Sequence, residues 1–113
     1  MALLIHHSIS YTPIDTSFSD AHAELQAVKL QINNSDIVLF NLYVPPASSC
    51  AAGYQLNVDS ILTHSDDDTV ILGDVNAHHD AWHSPLLADA RGRRLASAIA
   101  DNPFIILNEN EVT

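Results

Sequence analysis

The sequence predicts an α/β fold built on a mixed sheet. Three observations carry that expectation. Residues 24–32 and 37–44 are two strand patterns separated by Asn33-Asn34-Ser35-Asp36, a hairpin turn. From residue 55 onward, helical and extended patterns alternate. The resulting order is strand, hairpin, strand, then helix, strand, helix, strand, and such an order gives a mixed sheet with covering helices.

Taken in order, residues 2–9 read as a strand, and residues 14–19, flanked by Pro13 and Asp20, as a turn. In residues 24–32, Val28, Leu30 and Ile32 oppose Ala27, Lys29 and Gln31, the alternation of a half-buried strand. Residues 37–44 are more apolar, as in a sheet centre, and Pro45-Pro46 stops them. Residues 55–64 place Leu56, Ile61 and Leu62 at helical spacing, and Ser65-Asp66-Asp67-Asp68 is a charged turn. Residues 69–72 form the next strand, and 76–85 a polar, His-rich loop. Residues 89–101 put Leu95, Ala98 and Ile99 on one face of a second helix, which Asn102-Pro103 breaks. Residues 104–107 read as a final strand. The first strand has no partner before it and the last no closing element, so both ends read as cut.

The 113 residues suit one domain, and 47% hydrophobic content argues against disorder. Charged residues make up only 16%, low for a complete surface. A net charge of −10 against four Lys and Arg matches a nucleic-acid backbone poorly and divalent cations better. Arg91, Arg93 and Arg94 nevertheless cluster, either as a local anion site or as an ordinary basic helix start. Cys50 is the single cysteine, which excludes an internal disulfide; in its small-residue loop it reads as incidental. No apolar run approaches the ~20 residues of a membrane span. The first five residues are too short for a signal-peptide core and lack a basic start, so the environment expected is intracellular and reducing.

The densest chemistry lies in Val70-Ile71-Leu72-Gly73-Asp74-Val75-Asn76-Ala77-His78-His79. An apolar run ends in Gly-Asp-x-Asn, as when a buried strand delivers a carboxylate and a carboxamide to a sheet rim. On an extended chain Asp74 and Asn76 point to the same side. Asp74 is an acceptor and a possible base; Asn76 both donates and accepts. The same residues are common in turns, where they bond their own backbone. Tyr43 ends its strand level with Asp74 if the two strands are neighbours, and is either a phosphate contact or a core tyrosine. His79 and His83 are four apart, but a zinc site needs a third ligand and usually a Glu between them. Asp80, Ala81 and Trp82 stand there instead, and Pro85 limits the helix. His78 and His79 read as loop histidines over a cleft and, with Arg91, as candidate substrate contacts.

Asn41 through Pro46, Ile71 through His79, Trp82, Ser84, Arg91-Gly92, Leu95 and Leu107-Asn108 through Thr113 follow one another in a pattern that resembles the endonuclease/exonuclease/phosphatase superfamily. The closer resemblance is to the apurinic-like endonuclease domain of non-LTR retrotransposons of the LINE and jockey type. It implies a four-layer αββα sandwich, here a single partial domain over residues 1–113. It implies phosphodiester cleavage with Mg²⁺ or Mn²⁺, DNA as substrate, a reverse transcriptase domain in the same polyprotein and a nuclear parent element. Asp74 would orient or deprotonate the attacking water, Asn76 hold water and phosphate, and Tyr43 contact the scissile phosphate.

Val75 replaces the family's usual Phe. The family's early Asn and metal-binding Glu would precede the first strand, and its Ser-Asp-His segment would follow Thr113. The chain is therefore expected to be inactive as a nuclease. Two alternatives stand beside this reading. One is a non-catalytic remnant module. The other is a different metallophosphoesterase of the calcineurin-like kind, which requires further Asp, His and Asn clusters not found here.

Overall fold

The computed structural model describes residues 2–16, 22–63 and 68–108. Its centre is the hairpin of β2 (Glu24–Ile32) and β3 (Ser35–Tyr43), antiparallel with Ile32 opposite Ser35. The connection is two residues long because Asn33 and Asn34 both hold positive φ, 50° and 66°. That is the primed turn whose twist matches the strands it joins, and Asn tolerates it better than most residues. The turn is two residues shorter than expected: Ser35 and Asp36 already belong to β3.

Beyond β3 the chain passes a short 3₁₀ turn (Ala47–Ser49) and enters α1 (Val58–Thr63). The helix starts later than residue 55 because Asn57 caps it, its Oδ1 accepting from Ser60 N at 3.1 Å. It carries the crossover to β4 (Thr69–Asp74), which pairs parallel with β3. Of the expected charged turn, residues 65–67 lie outside the described residues. A second 3₁₀ turn (Asp80–Trp82) precedes α2 (Ala90–Ala100), ended by Asn102, whose Nδ2 donates to Ala98 O at 2.7 Å.

The described strands form one sheet in the order β1-β2-β3-β4. Its core face carries Ala23, Leu25 and Ala27 of the β2 side, and Val38, Phe40, Leu42 and Val44 of the β3 side, against Leu56 and Ile61. Phe40 and Val44 are essentially inaccessible. This corrects the β2 alternation. Ala27, grouped above with Lys29 and Gln31, is a core residue, while Ile32 is exposed. The core lies toward the Leu25–Leu42 end of the hairpin, and the turn end projects past it, so apolar character there does not translate into burial.

Two further expectations are corrected. The first strand is β1 (Ser10–Ile14), not residues 2–9; a turn closed by Ile9 N donating to His6 O at 3.0 Å precedes it. Thr12 and Tyr11 suit an extended strand, and Pro13 is tolerated because β1 is an edge. Ile14 ends this strand instead of opening a turn, and residues 17–19 are outside the described ones. Residues 104–107 are not a strand, since no described strand offers them a ladder. Ile105 and Leu107 are 82% and 78% exposed.

The left-handed turn gives a direct test. Asn34→Val should cost about 1–2 kcal/mol, the cost of that conformation for a residue with a bulky Cβ, whereas Asn34→Gly should be neutral or stabilising. Urea denaturation of both variants checks it, and equal stabilities would contradict the turn type.

Candidate active site

The rim of the sheet is set by the β3–β4 ladder. Tyr43 stands opposite Asp74 in the parallel register, and Val44 N donates to Asp74 O at 2.9 Å. Core residues Phe40 and Leu42 alternate with Tyr43, so Tyr43 and its partner Asp74 lie on the other face of the sheet. Glu24 is the register partner of Tyr43 on β2. A row Glu24–Tyr43–Asp74 thus crosses three strands at one rim, a juxtaposition that only the register reveals.

Gly73 makes the ladder possible. It has φ of +140°, and a Cβ there would run into the backbone of Leu42. The glycine of the Gly-Asp pair is therefore a spacer between strands.

The strand ends at Asp74, and the chain turns at once. Asp74 Oδ1 accepts from Asn76 N at 3.0 Å, and Asn76 takes a left-handed φ of 49°. Extended alternation does not reach Asn76, so the expectation that both side chains point the same way fails in its premise. The carboxamide instead crosses to β3, Nδ2 donating to Val44 O at 2.8 Å. Asp74 is exposed, and Tyr43 and Asn76 are half-buried. Asp74, Asn76 and His78 line a groove of about 920 Å³ beside β4, whose other walls include Leu95 and Phe104.

The His-rich loop is held by its own side chains. His78 Nδ1 is 2.7 Å from Ser84 Oγ, and Trp82 Nε1 donates to Ala77 O at 3.0 Å. His79 Nδ1 accepts from Ala81 N at 3.0 Å, capping the 3₁₀ turn. His83 is left-handed, φ 58°, so His79 and His83 do not share a face of an α-helix. Among the described residues, no group of three or more His, Cys, Asp or Glu is arranged to hold a metal ion.

Sequence reasoning missed two anchors of this loop. Asp89 caps α2, its Oδ1 accepting from Gly92 N at 2.6 Å and from His78 N at 3.3 Å. Burial raises its pKa, but the hydrogen bonds from Gly92 and His78 and the charges of His78 and Arg91 outweigh that, leaving it below the ordinary carboxylate value. Gly92 lets the helix approach, since a Cβ would meet His78 O. The second anchor is Arg91, only 6% exposed. Its Nη1 donates to Pro45 O, Val75 O and Asn76 O at 2.8, 2.9 and 3.2 Å. The expected substrate contact is thus turned inward, onto loop carbonyls. Cys50 is not incidental either: its Sγ lies 3.8 Å from Arg91 Nη2 and 3.7 Å from Pro45 O. An Asp three residues ahead of a helical Gly was the available signal for Asp89; nothing local marks Arg91 as buried.

The family model of the endonuclease-reverse transcriptase family matches residues 37–113, a span that holds most of β3, and β4, the His-rich loop and α2. The chain belongs to the endonuclease-reverse transcriptase family. A solved structure, the endonuclease domain of TRAS1, a telomere-specific non-LTR retrotransposon, is similar with a TM-score of 0.71 and 21% sequence identity. The similarity covers 96% of this chain and 48% of that one, so the chain spans about half the length of that domain. The fold of this endonuclease-reverse transcriptase chain is therefore α/β and like that of a retrotransposon endonuclease domain. No curated protein matches it. No helix among the described residues is long and apolar enough to cross a membrane. Tyr43, Asp74, Asn76, His78, His79 and Arg91 all fall in the family-matched span.

The Asp89 anchor carries a sign. Its lowered native pKa means the stabilisation is present above the unfolded carboxylate range and is lost as pH falls through the native value. Asp89→Ala should cost about 1 kcal/mol at neutral pH, the usual effect of losing an N-cap. Urea titrations should show the gap between wild type and variant closing in acid; a gap independent of pH would contradict the assignment.

Proposed function

We propose that this chain is part of a divalent-metal-dependent phosphodiesterase, the DNA-nicking endonuclease of a non-LTR retrotransposon, and that it does not cleave DNA by itself. The observation that carries this reading is the register that sets Tyr43 against Asp74, with Asn76 one tight turn away, inside the family-matched span. The neighbour's printed description, an endonuclease domain of a telomere-specific non-LTR retrotransposon, supports the same class.

In this reading the exposed Asp74 carboxylate accepts a proton from, or orients, the attacking water. The Tyr43 phenol donates to a phosphate oxygen, and the Asn76 side-chain oxygen Oδ1 holds the water, since Nδ2 donates to Val44 O. His78 lines the groove beside Asp74 and Asn76, and His79 follows it in the same loop. A reverse transcriptase domain of the same polyprotein and a nuclear site of action accompany the reading as its partners and location.

The described donor set does not complete a Mg²⁺ or Mn²⁺ site. Mg²⁺ binds through one or two carboxylates plus substrate phosphates in near-octahedral geometry. Asp74 offers one carboxylate with an oxygen already accepting from Asn76 N, and no described cluster of three ligands supports it. The net charge of −10 also opposes approach of DNA. A non-catalytic module is the second reading, favoured by the same two bonds that tie Asp74 and Asn76 into the turn.

A plasmid-nicking assay separates the readings. The chain with Mg²⁺ or Mn²⁺ should leave supercoiled plasmid intact, as Asp74→Ala does. A longer product of its reading frame should nick, and Asp74→Ala or Asn76→Ala should slow it on the order of a hundredfold. Robust, Asp74-dependent nicking by the chain alone would overturn the inactivity. Undiminished nicking by the longer Asp74→Ala product would overturn the site.

A further inference from the structure

Arg91 reaches out of the first turn of α2 to the two loops that carry the rim. Pro45 lies two residues beyond Tyr43, while Val75 and Asn76 form the turn after Asp74. One guanidinium nitrogen serves all three carbonyls, at 2.8, 2.9 and 3.2 Å. That nitrogen bears two protons, so one is shared, and the longest bond, to Asn76 O, is the natural shared one. The other terminal nitrogen faces Cys50 Sγ at 3.8 Å, and the Tyr54 ring centroid lies 6.0 Å from Cζ. Among the described residues, every hydrogen-bond acceptor of Arg91 is a backbone carbonyl or this sulfur.

Such a contact set fixes backbone against backbone. The guanidinium is a rigid plane, so the Pro45 carbonyl and the Val75–Asn76 carbonyls keep a set separation while it is in place. Without it these carbonyls would lose a charged donor at a poorly exposed position, which is costly. Asn76 would also lose a bond on the residue whose backbone is left-handed, a conformation that persists only where its surroundings impose it. Relaxation of that residue would carry its carboxamide off Val44 O.

We propose that Arg91 is a positioning residue, whose buried guanidinium locks the loop after Tyr43 to the Asp74–Asn76 turn and thereby holds the Asn76 carboxamide in place. The proposal rests on the reading of Tyr43, Asp74 and Asn76 as the site. It assigns to Arg91 no contact with substrate.

The test is NMR on the whole chain. In wild type at low temperature, the two terminal guanidinium nitrogens of Arg91 should give separate, slowly exchanging signals, while exposed Arg94 gives an averaged one. Averaged signals for Arg91 would overturn the proposal, and this needs no variant to fold. In Arg91→Gln, proton exchange of the Asn76 carboxamide should accelerate roughly tenfold or more, with the hairpin amides near Asn34 unmoved. Exchange within about twofold of wild type in the folded variant would overturn it. Arg91→Lys, which keeps the charge but not the plane, should recover only part of the protection; full recovery would overturn the role given to the plane. Plasmid nicking by the longer product decides the functional reading separately, while the guanidinium and exchange data decide the Arg91 proposal on their own.

Discussion

The parallel ladder between β3 and β4 positions everything at the rim. It brings Val44 N onto Asp74 O, sets Tyr43 beside Asp74, and gives Asn76 a carbonyl on β3 to reach. Parallel strands cannot be joined by a tight turn, so the pairing requires the crossover that α1 supplies. It also requires Gly73, because any side chain there would collide with Leu42. The Gly-Asp pair is thus one device with two parts: the glycine closes the strands, and the carboxylate opens the turn that follows.

Around this ladder the structure supplies rigidity from two sides. Below it, Phe40, Leu42 and Val44 pack with Leu56 and Ile61, so β3 cannot shift without exposing its core. Behind the turn, α2 docks through Gly92, Asp89 and Arg91. The helix cap and the site loop share one carboxylate, and the helix's first turn and both rim loops share one guanidinium. Loops that carry chemistry are commonly mobile; this one is tied at three places to regular elements. The arrangement suits groups that must be held for a reaction, but it also commits several of their polar atoms to internal bonds.

Much of this was legible in the sequence because it is local. The Asn33-Asn34 turn, the apolar run before Gly73, the Pro45-Pro46 stop and the Leu95–Ala98–Ile99 face depend on neighbouring residues alone, and the elements they imply exist. Tyr43 and Asp74 at one rim followed from strand-end placement combined with the family resemblance. What escaped depends on distant contacts or on partners. The first strand lies at Ser10–Ile14 because β2 pairs there. Residues 104–107 are an apolar run that reads as a strand, yet no described strand pairs with them. Asn76 departs from strand alternation because the Asp74 side chain captures its amide. Arg91 looked like one of three surface cations; only the folded chain reveals three loop carbonyls converging on it. Glu24 entered the rim through a register that no local pattern encodes.

The functional account stands or falls with that register, since a slip by one residue would send Tyr43 or Asp74 to the core face. Couplings across hydrogen bonds, read between amide nitrogens and carbonyl carbons by NMR, test it most directly. The account predicts a coupling from Val44 N to the Asp74 carbonyl, and another from Val38 N to the Asp68 carbonyl, the bonds of 2.9 and 2.8 Å that bound the ladder. Coupling of Val44 N to a different carbonyl, or a Val44 amide exchanging as fast as in an unfolded chain, would contradict it.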